Sequence, residues 1–405
     1  MKTDKFTVIR DGLKINGLEH LNDNEKAPCI ILSHGFQGNY TGYDYYAEKF
    51  YEYGFSVFRY NFCGGSSRDD FEGKSDGDSR DMCLSSEVKD LLTVFDYVEK
   101  IAGEERDIYL LGESQGAFVS GLAAARLGCK VKKLIMIFPA VCIPDHARRG
   151  TLGGAKYDPK NPPEEMVLPL TTIGKKFHED VVELDAYSEL AKYPGETLII
   201  QGTDDDIVVP QYQYIVKEWF DKTDVTAKHR CQLQMVRNMG HMCHPDYIEG
   251  LFASMRMFIE EKREVLTFRI IVTEVINLDG KENKLPDNAN VSDTSFLHYQ
   301  DILFTGYSEG ELFTGTITKG VDHQIYNGNE CLQMRAEYTF SGVDMDGNPC
   351  TIDVINKKEL ECEQTFNDWK PEIKTDSEKL KWLENTELTA VLEGGKLGPT
   401  IRVYC

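Results

Sequence analysis

The sequence predicts an α/β domain with a doubly wound, mainly parallel sheet, followed by an all-β barrel or sandwich domain. In the first 262 residues, short apolar runs alternate with amphipathic helix-like segments, the pattern of a parallel sheet covered by helices. After residue 263, β-branched runs and Asn-Gly or Asp-Gly turns replace this alternation, as in antiparallel domains. We therefore expect one domain over residues 1–263 and a second over 264–405.

The expected strands of the first domain are short and almost continuously apolar, as buried parallel strands are. They are residues 28–33, 56–62, 107–112, 133–140, 197–202 and 231–236. Between them, residues 86–101 place apolar side chains at helical spacing. A final helix, 245–262, is expected to close this domain.

The pentapeptide Gly112-Glu-Ser-Gln-Gly116 lies between an expected strand and the helix-like stretch Ala117–Leu127. A serine in a sharp strand-to-helix turn projects its hydroxyl away from both elements, and the positions two before and two after it must then be small. Ser114 could also be an ordinary helix N-cap. Its place between this strand and this helix favours a nucleophile.

A serine nucleophile needs a base that takes its proton and an acid that orients the base. Asp204–Asp206 follow the strand at 197–202, and His241 follows the strand at 231–236. The carboxyl ends of parallel strands share one sheet edge, where ligands bind. Serine, acid and histidine thus occur in the order that suits a nucleophile elbow.

These motifs resemble α/β-hydrolase-fold serine esterases over about residues 5–262, and most closely the cinnamoyl (feruloyl) esterase branch. The most specific stretches are His34–Gly38, Gly73–Gly77, Gly112–Gly116, Phe138–Ala140, Tyr157–Pro159, Gly202–Asp205 and Gly240–His241. The resemblance implies Ser114 as nucleophile, His241 as base and Asp205 as orienting carboxylate. Counting back from Pro210 selects Asp206 instead, so the acid is left open between the two.

The resemblance also implies an oxyanion hole formed by the backbone N–H groups of Phe36 and Gln115. Phe36 follows the strand at 28–33 in His34-Gly35-Phe36, where a glycine lets the backbone turn an N–H toward a developing oxyanion.

A lid insertion over about residues 141–185 is implied as well. Members of this branch hold the phenol ring of the substrate with an aspartate and a tyrosine of the insertion. The nearest counterparts here are Asp145 or His146, and Phe177 or His178. The tyrosine has no clear counterpart in the sequence.

The expected activity is hydrolysis of carboxylic esters through an acyl-enzyme, with hydroxycinnamoyl (feruloyl-type) esters as substrates. This chemistry needs no metal and no organic cofactor. A thioesterase, lipase or aminopeptidase-like hydrolase with the same three residues is the alternative within hydrolases. A non-catalytic binding protein on a hydrolase scaffold is the alternative outside them.

Composition limits the partners. The formal net charge of −22 argues against nucleic acid, whose phosphates require clustered Lys and Arg. No run approaches the ~20 apolar residues that cross a bilayer, and the first residues lack the apolar stretch of a signal peptide. The 11 cysteines are odd in number and lack C-x-x-C spacing, which favours a reducing compartment over a disulfide framework. We therefore expect a cytoplasmic enzyme for a small ester, with no membrane or nucleic-acid partner.

The second domain faintly resembles small bacterial β-barrel domains of unknown function, in Gly310–Gly315 and Lys381–Asn385. Its fusion to an esterase suggests that it binds a partner subunit or the bulky alcohol half of the substrate. Homo-oligomerisation is left open.

Overall fold

The structure is a computed structural model that describes residues 2–66, 72–103, 105–223, 230–243, 245–278, 297–327, 330–358 and 369–405. The chain divides into two compact units, Met1–Met242 and Cys243–Cys405.

The first unit is built on an eight-stranded mixed sheet. The strands of this unit are β1 (Asp4–Arg10), β2 (Leu13–His20), β3 (Cys29–Ser33), β4 (Ser56–Tyr60), β5 (Ile108–Glu113), β6 (Lys133–Ile137), β7 (Glu165–Val167), β8 (Thr172–Gly174), β9 (Glu196–Gly202) and β10 (Cys231–Val236). Strands β7 and β8 form a separate two-stranded ribbon, and the other eight form the sheet. The sheet order is β1-β2-β4-β3-β5-β6-β9-β10. Strands β4 to β10 in this order are parallel, while β1 and β2 pair antiparallel at one edge.

All six apolar runs identified in the sequence form strands of this sheet, so the predicted α/β architecture is confirmed. The two antiparallel edge strands were not predicted. In β1 only Phe6 is buried, so this strand lacks the continuous apolar run that marks the central ones.

Helices connect the parallel strands. The α-helices of the described residues are α1 (Asp44–Glu52), α2 (Leu84–Ala102), α3 (Gln115–Leu127), α4 (Ile143–Arg149), α5 (Lys175–Val181), α6 (Ala186–Leu190), α7 (Gln211–Thr223) and α8 (Pro245–Ile259). Helix α2 begins with a capping box, in which the Ser86 hydroxyl accepts from the Cys83 N–H at 3.0 Å, and it ends at Gly103 with a positive φ of 65°. Its apolar stripe, including Val88, Leu91 and Phe95, is fully buried.

The insertion after β6 contains α4, the ribbon β7–β8 and α5. It is joined to the segment before α2 by hydrogen bonds. Thr171 Oγ1 donates to Ser79 Oγ at 2.9 Å, and Ser79 Oγ donates to the Thr172 carbonyl at 2.7 Å. Phe177 of α5 is buried in the main core. The insertion is therefore anchored to the body of the first unit at more than one point.

The second unit is an antiparallel all-β half-barrel together with α8. Its strands are β11 (Glu264–Asn277), β12 (Leu297–Ser308), β13 (Phe313–Asn327), β14 (Glu330–Asp344), β15 (Pro349–Lys358), β16 (Glu372–Thr375), β17 (Thr389–Glu393) and β18 (Thr400–Tyr404), in the order β16-β15-β14-β13-β12-β11-β18-β17. This confirms the all-β class of the C-terminal part. The turn expected at Asp346-Gly347 joins β14 to β15, with a φ of 81° at Gly347. The turns expected at Asp279-Gly280 and Asn327-Gly328 fall wholly or partly outside the described residues.

Helix α8 packs within the second unit, although the sequence assigned it to the hydrolase domain. Its Ala253 and Met257 form a small core with Val391 and Tyr404. The unit boundary at Met242 thus lies before this helix. The boundary at residue 263 predicts that residues 1–263 fold independently, and this stays a prediction.

Candidate active site

Ser114 occupies the tight turn between β5 and α3, with φ 52° and ψ −119°. Non-glycine residues rarely adopt such a positive φ, and they do so mostly where function holds them there. Its main chain is fixed on both sides, since its N–H donates to the Ile137 carbonyl at 2.9 Å and its carbonyl accepts from the Ala140 N–H at 3.0 Å. The turn expected from the pentapeptide is therefore present.

The two glycines of the pentapeptide are required by space. A Cβ on Gly112 would lie 2.4 Å from the Gly116 carbonyl oxygen, and one on Gly116 would lie 2.3 Å from the His34 carbonyl oxygen. Both distances are shorter than any ordinary contact. The close approach of β5, α3 and the loop after β3 therefore excludes a side chain at either position.

Ser114, His241 and Asp205 form one hydrogen-bonded row. His241 Nε2 lies 3.0 Å from Ser114 Oγ, and His241 Nδ1 lies 2.9 Å from Asp205 Oδ2. An ionised carboxylate can only accept, so Nδ1 carries the proton and Nε2 accepts from the serine hydroxyl. The imidazole also packs on Phe138, with 4.6 Å between ring centroids.

Asp205 rather than Asp206 contacts the histidine. The Asp205 carboxylate also accepts from the backbone N–H groups of Ile207 and Val208 at 3.0 and 2.9 Å, and from Gln201 Nε2 at 2.9 Å. Burial opposes its ionisation, but hydrogen bonds led by that of His241 outweigh burial and hold the pKa of Asp205 below its usual range. Asp206 is exposed.

The loop after β3 lies against Ser114. A Cβ on Gly35 would lie 3.4 Å from Ser114 Cβ. The loop therefore passes close to the serine at Gly35, the residue before Phe36. His34 shapes this loop, because its Nδ1 donates to the Gly35 carbonyl at 2.8 Å and its Nε2 accepts from the Phe62 N–H at 3.1 Å. Burial lowers the pKa of His34 to about 4, so this imidazole stays neutral.

Gln115, the first residue of α3, is buried beside Ser114, and its Nε2 donates to Glu87 Oε2 at 2.7 Å. Glu87 lies on α2, and burial raises the pKa of its carboxyl to about 8. The N-terminus of α3 adds a positive partial charge at this place. The sequence did not single out Glu87, whose partner is distant along the chain.

Two tyrosines hold the residue before the serine. Tyr43 and Tyr46 donate their hydroxyls to the Glu113 carboxylate, the former at 2.8 Å. Both tyrosine rings are buried. Their hydroxyls fix Glu113, the residue before the serine, by hydrogen bonds. The helical spacing of these tyrosines in the sequence does not predict this contact.

Residues 24–156 match the family described as serine aminopeptidase, S33. A structure of Est1E from Butyrivibrio proteoclasticus with ferulic acid bound is 28% identical, covers 63% of this chain and 98% of that chain, and superposes with a TM-score of 0.56. A second structure of Est1E from the same organism is 26% identical, covers 64% and 98%, and has a TM-score of 0.54. The N-terminal part of this chain has the α/β-hydrolase fold. A search of the curated proteins found no significant match.

In the unit with the α/β-hydrolase fold, Asp145 and His146 lie on α4 of the insertion. Asp145 accepts from Arg148 Nη1 at 2.9 Å and from the Tyr212 hydroxyl at 3.2 Å. Burial lowers the pKa of the half-buried His146. Burial raises the pKa of the Cys142 thiol at the start of α4 to about 12, and the Asp205 and Asp145 carboxylates add to this shift.

Phe177 and His178 of the insertion are both buried and already have partners. Phe177 belongs to the main core, and His178 Nδ1 lies 2.9 Å from the Tyr157 hydroxyl. The tyrosine that contacts Asp145 is Tyr212, on α7 and outside the insertion. Sequence reasoning considered only residues 141–185 as the source of a tyrosine beside Asp145 and so did not include Tyr212.

Within the described ranges, no group of three or more His, Cys, Asp or Glu side chains is arranged to hold a metal ion. No helix in the described part of the chain is both long enough and apolar enough to cross a membrane.

Proposed function

We propose that this chain is a serine carboxylesterase that works through an acyl-enzyme, with Ser114 as nucleophile, His241 as base and Asp205 as the orienting acid. The hydrogen-bonded row from Ser114 Oγ through His241 to Asp205 Oδ2, at 3.0 and 2.9 Å, carries the proposal. Nucleophile, base and orienting acid within such reach are the signature of covalent hydrolysis.

The first half of the reaction forms the acyl-enzyme. His241 Nε2 takes the hydroxyl proton as Ser114 Oγ attacks the ester carbonyl carbon, and the backbone N–H groups of Phe36 and Gln115 stabilise the resulting oxyanion. The imidazolium then gives that proton to the leaving alcohol oxygen as the C–O bond breaks.

The second half releases the acid. His241 takes a proton from water as the water oxygen attacks the acyl carbon, and the imidazolium then returns the proton to Ser114 Oγ as the bond between the acyl carbon and Oγ breaks. Asp205, with four hydrogen-bond donors around its carboxylate, stays ionised throughout and stabilises the imidazolium. No step needs a metal or an organic cofactor.

Activity on 4-nitrophenyl acetate tests the nucleophile. Ser114→Ala should lower turnover by about 10⁶-fold, the scale of losing a nucleophile from such a row. Ser120→Ala is the matched control, because Ser120 lies on the same helix and its buried hydroxyl has no partner among the described residues. Near-normal activity of Ser114→Ala would show that the assignment is wrong.

Wild-type protein should also react with a fluorophosphonate, because only an activated serine is labelled by this reagent. Absence of labelling would favour a non-catalytic binding protein.

Hydroxycinnamoyl esters are the substrates we propose, because the chain is 28% identical to a protein whose structure holds ferulic acid. Asp145 with Tyr212 would hold the phenol hydroxyl of the acyl group. Tyr212→Phe should therefore lower kcat/KM about tenfold for methyl ferulate but not for methyl cinnamate, which lacks that hydroxyl. Tyr214→Phe, on the same helix and 55% exposed, should change neither.

A peptidase with the same three residues is the second candidate, favoured by the serine aminopeptidase description of the matching family. Aminoacyl 4-nitroanilides separate the two. Turnover of these amides above that of 4-nitrophenyl and ferulate esters, lost in Ser114→Ala, would replace the esterase proposal.

A further inference from the structure

Glu87 connects the two segments that carry the proposed oxyanion donors. On the side of α3, Gln115 Nε2 donates to Glu87 Oε2 at 2.7 Å. On the other side, a Cβ on Gly65 would lie 2.2 Å from Glu87 Oε1 and 3.3 Å from the carboxyl carbon, so the carboxyl packs directly against the Gly65 main chain. The Gly65 carbonyl in turn accepts at 3.2 Å from the N–H of Gln37, the residue after Phe36. One carboxyl group therefore supports both segments.

This carboxyl is fixed in place. Glu87 is 1% exposed and belongs to the first turn of α2. The start of that helix is held to α5, because the Ser85 N–H donates to Asp180 Oδ2 at 2.8 Å. A carboxyl buried in this way cannot turn into water when its charge changes, so the change acts on the groups around it.

The charge of Glu87 depends on groups from several elements. Among the described residues, the charged and titratable groups around it are Asp90 of α2 with its partner Arg10 of β1, Asp180 of α5, and Tyr60 of β4. Burial raises the pKa of Glu87 to about 8, opposed by the hydrogen bond from Gln115, and the two aspartates add to the rise. Burial raises the pKa of Asp90 only to about 6, so Asp90 is already ionised where Glu87 loses its proton. Burial also raises the pKa of Tyr60 well above its usual range, so this hydroxyl stays neutral.

We propose that Glu87 is a positioning residue for the oxyanion hole, which it supports while it is protonated and weakens when it loses that proton. This role rests on the proposed function of Ser114. A protonated carboxyl accepts from Gln115 and adds no net charge. An ionised one places negative charge beside the position where negative charge develops in the transition state, and so opposes the stabilisation that the donors provide.

The length of the Gln115 side chain sets the size of the effect. The bonds from its backbone N to Nε2, each about 1.3–1.5 Å long, span at most roughly 6 Å, and Nε2 lies 2.7 Å from Glu87 Oε2. The carboxylate is therefore within roughly 9 Å of the backbone donor and roughly 12 Å of an oxyanion bound to it. At an effective dielectric constant of about 20, two unit charges about 12 Å apart repel enough to slow a reaction about tenfold.

The pH dependence of 4-nitrophenyl acetate hydrolysis, corrected for spontaneous hydrolysis, tests this role. From about pH 6.5 to about pH 9.5 the wild-type kcat should fall about tenfold, with a midpoint near pH 8 and little change in KM, because the oxyanion hole acts in the transition state. Glu87→Gln keeps an acceptor for Gln115 without a titrating proton, so its kcat should match wild type at the lower pH and stay level. Far-UV circular dichroism at each pH separates the loss from unfolding.

Glu99→Gln is the matched control. It makes the same change near the other end of α2, where Glu99 pairs with Lys130 at 2.8 Å on the surface, and it should retain the wild-type fall. Gln115→Met is a second test that does not depend on the folding of Glu87→Gln. The hydrogen bond from Gln115 favours the ionised carboxylate, so its loss should move the midpoint to higher pH while the backbone donor remains.

Three results would each contradict the role of Glu87 and leave the assignment of Ser114 intact. They are a wild-type kcat that stays level over this range, an equal fall in Glu87→Gln, and an unmoved midpoint in Gln115→Met. Absence of Ser114-dependent turnover at every pH would instead overturn the proposed function, and the role of Glu87 with it.

Discussion

Replacing Asp205 by asparagine should remove nearly all esterase activity, while the same change at Asp206 should not. Asp205 Oδ2 accepts from His241 and Gln201, and Oδ1 accepts from two backbone N–H groups. An asparagine NH₂ must occupy one of these two positions. In either orientation it points a donor at two donors.

The magnitude follows from that geometry. With NH₂ at the Oδ2 position, His241 can only accept at Nδ1, so its proton moves to Nε2 and the imidazole no longer accepts from Ser114. The wrong tautomer lowers kcat by about 10⁴-fold in serine hydrolases with this arrangement, which corresponds to about 5 kcal/mol of transition-state stabilisation. With NH₂ at the Oδ1 position, the backbone N–H groups of Ile207 and Val208 would lose their acceptor instead. Each unpaired buried donor costs about 1–3 kcal/mol of folding free energy, so this orientation would lower stability by about 2–6 kcal/mol and the inactive orientation is favoured.

Steady-state hydrolysis of 4-nitrophenyl acetate, together with urea unfolding, measures both effects. Asp206→Asn is the matched control, and because Asp206 is exposed its activity should stay within about twofold of wild type. Folded Asp205→Asn protein with wild-type kcat would refute the reasoning. A large loss confined to Asp206→Asn would instead identify Asp206 as the acid.

Three further predictions concern the surroundings of the serine turn. Burial raises the pKa of Glu87 to about 8, so the folded state holds a proton that the unfolded chain releases near pH 4. As the pH rises between these two values, the free energy of unfolding should fall by up to about 1.4 kcal/mol per pH unit. Urea unfolding of Glu87→Gln should lack this slope. Gly116→Ala should abolish folding or activity, since its Cβ would lie 2.3 Å from a carbonyl oxygen, whereas Gly42→Ala, with open space around it, should be neutral by thermal unfolding and activity. Tyr43→Phe removes one donor to Glu113 and should lower kcat several-fold with KM unchanged, and an altered KM alone would contradict a positioning role.

Local sequence patterns predicted the parts of the site that lie at strand ends. A serine turn, an acid and a histidine each follow a buried apolar strand, and parallel pairing brings those strand ends to one edge. The choice between Asp205 and Asp206 could not be made this way. It depends on which carboxylate faces Gln201 and His241, and consecutive residues of a loop have no periodicity that fixes this.

The residues proposed to bind the phenol are harder to predict, because they come from distant segments of the chain. Asp145 comes from the insertion, but its tyrosine comes from α7, 67 residues farther along the chain. Nothing in the local sequence of Tyr212 distinguishes it from Tyr214 two positions later. Phe177 and His178 were the nearest counterparts within the insertion, but Phe177 packs in the core and His178 contacts the Tyr157 hydroxyl.

The strain at Ser114 is more than offset by contacts from three directions. A positive φ at a non-glycine residue costs about 1–3 kcal/mol. Against it act three main-chain hydrogen bonds of Ser114, two hydroxyl bonds to Glu113 and one amide bond to Glu87. At about 1 kcal/mol each, these bonds together exceed the strain. Removal of any single one should therefore leave the turn intact, and only combined loss of the bonds to Glu113 and Glu87 should let the serine relax.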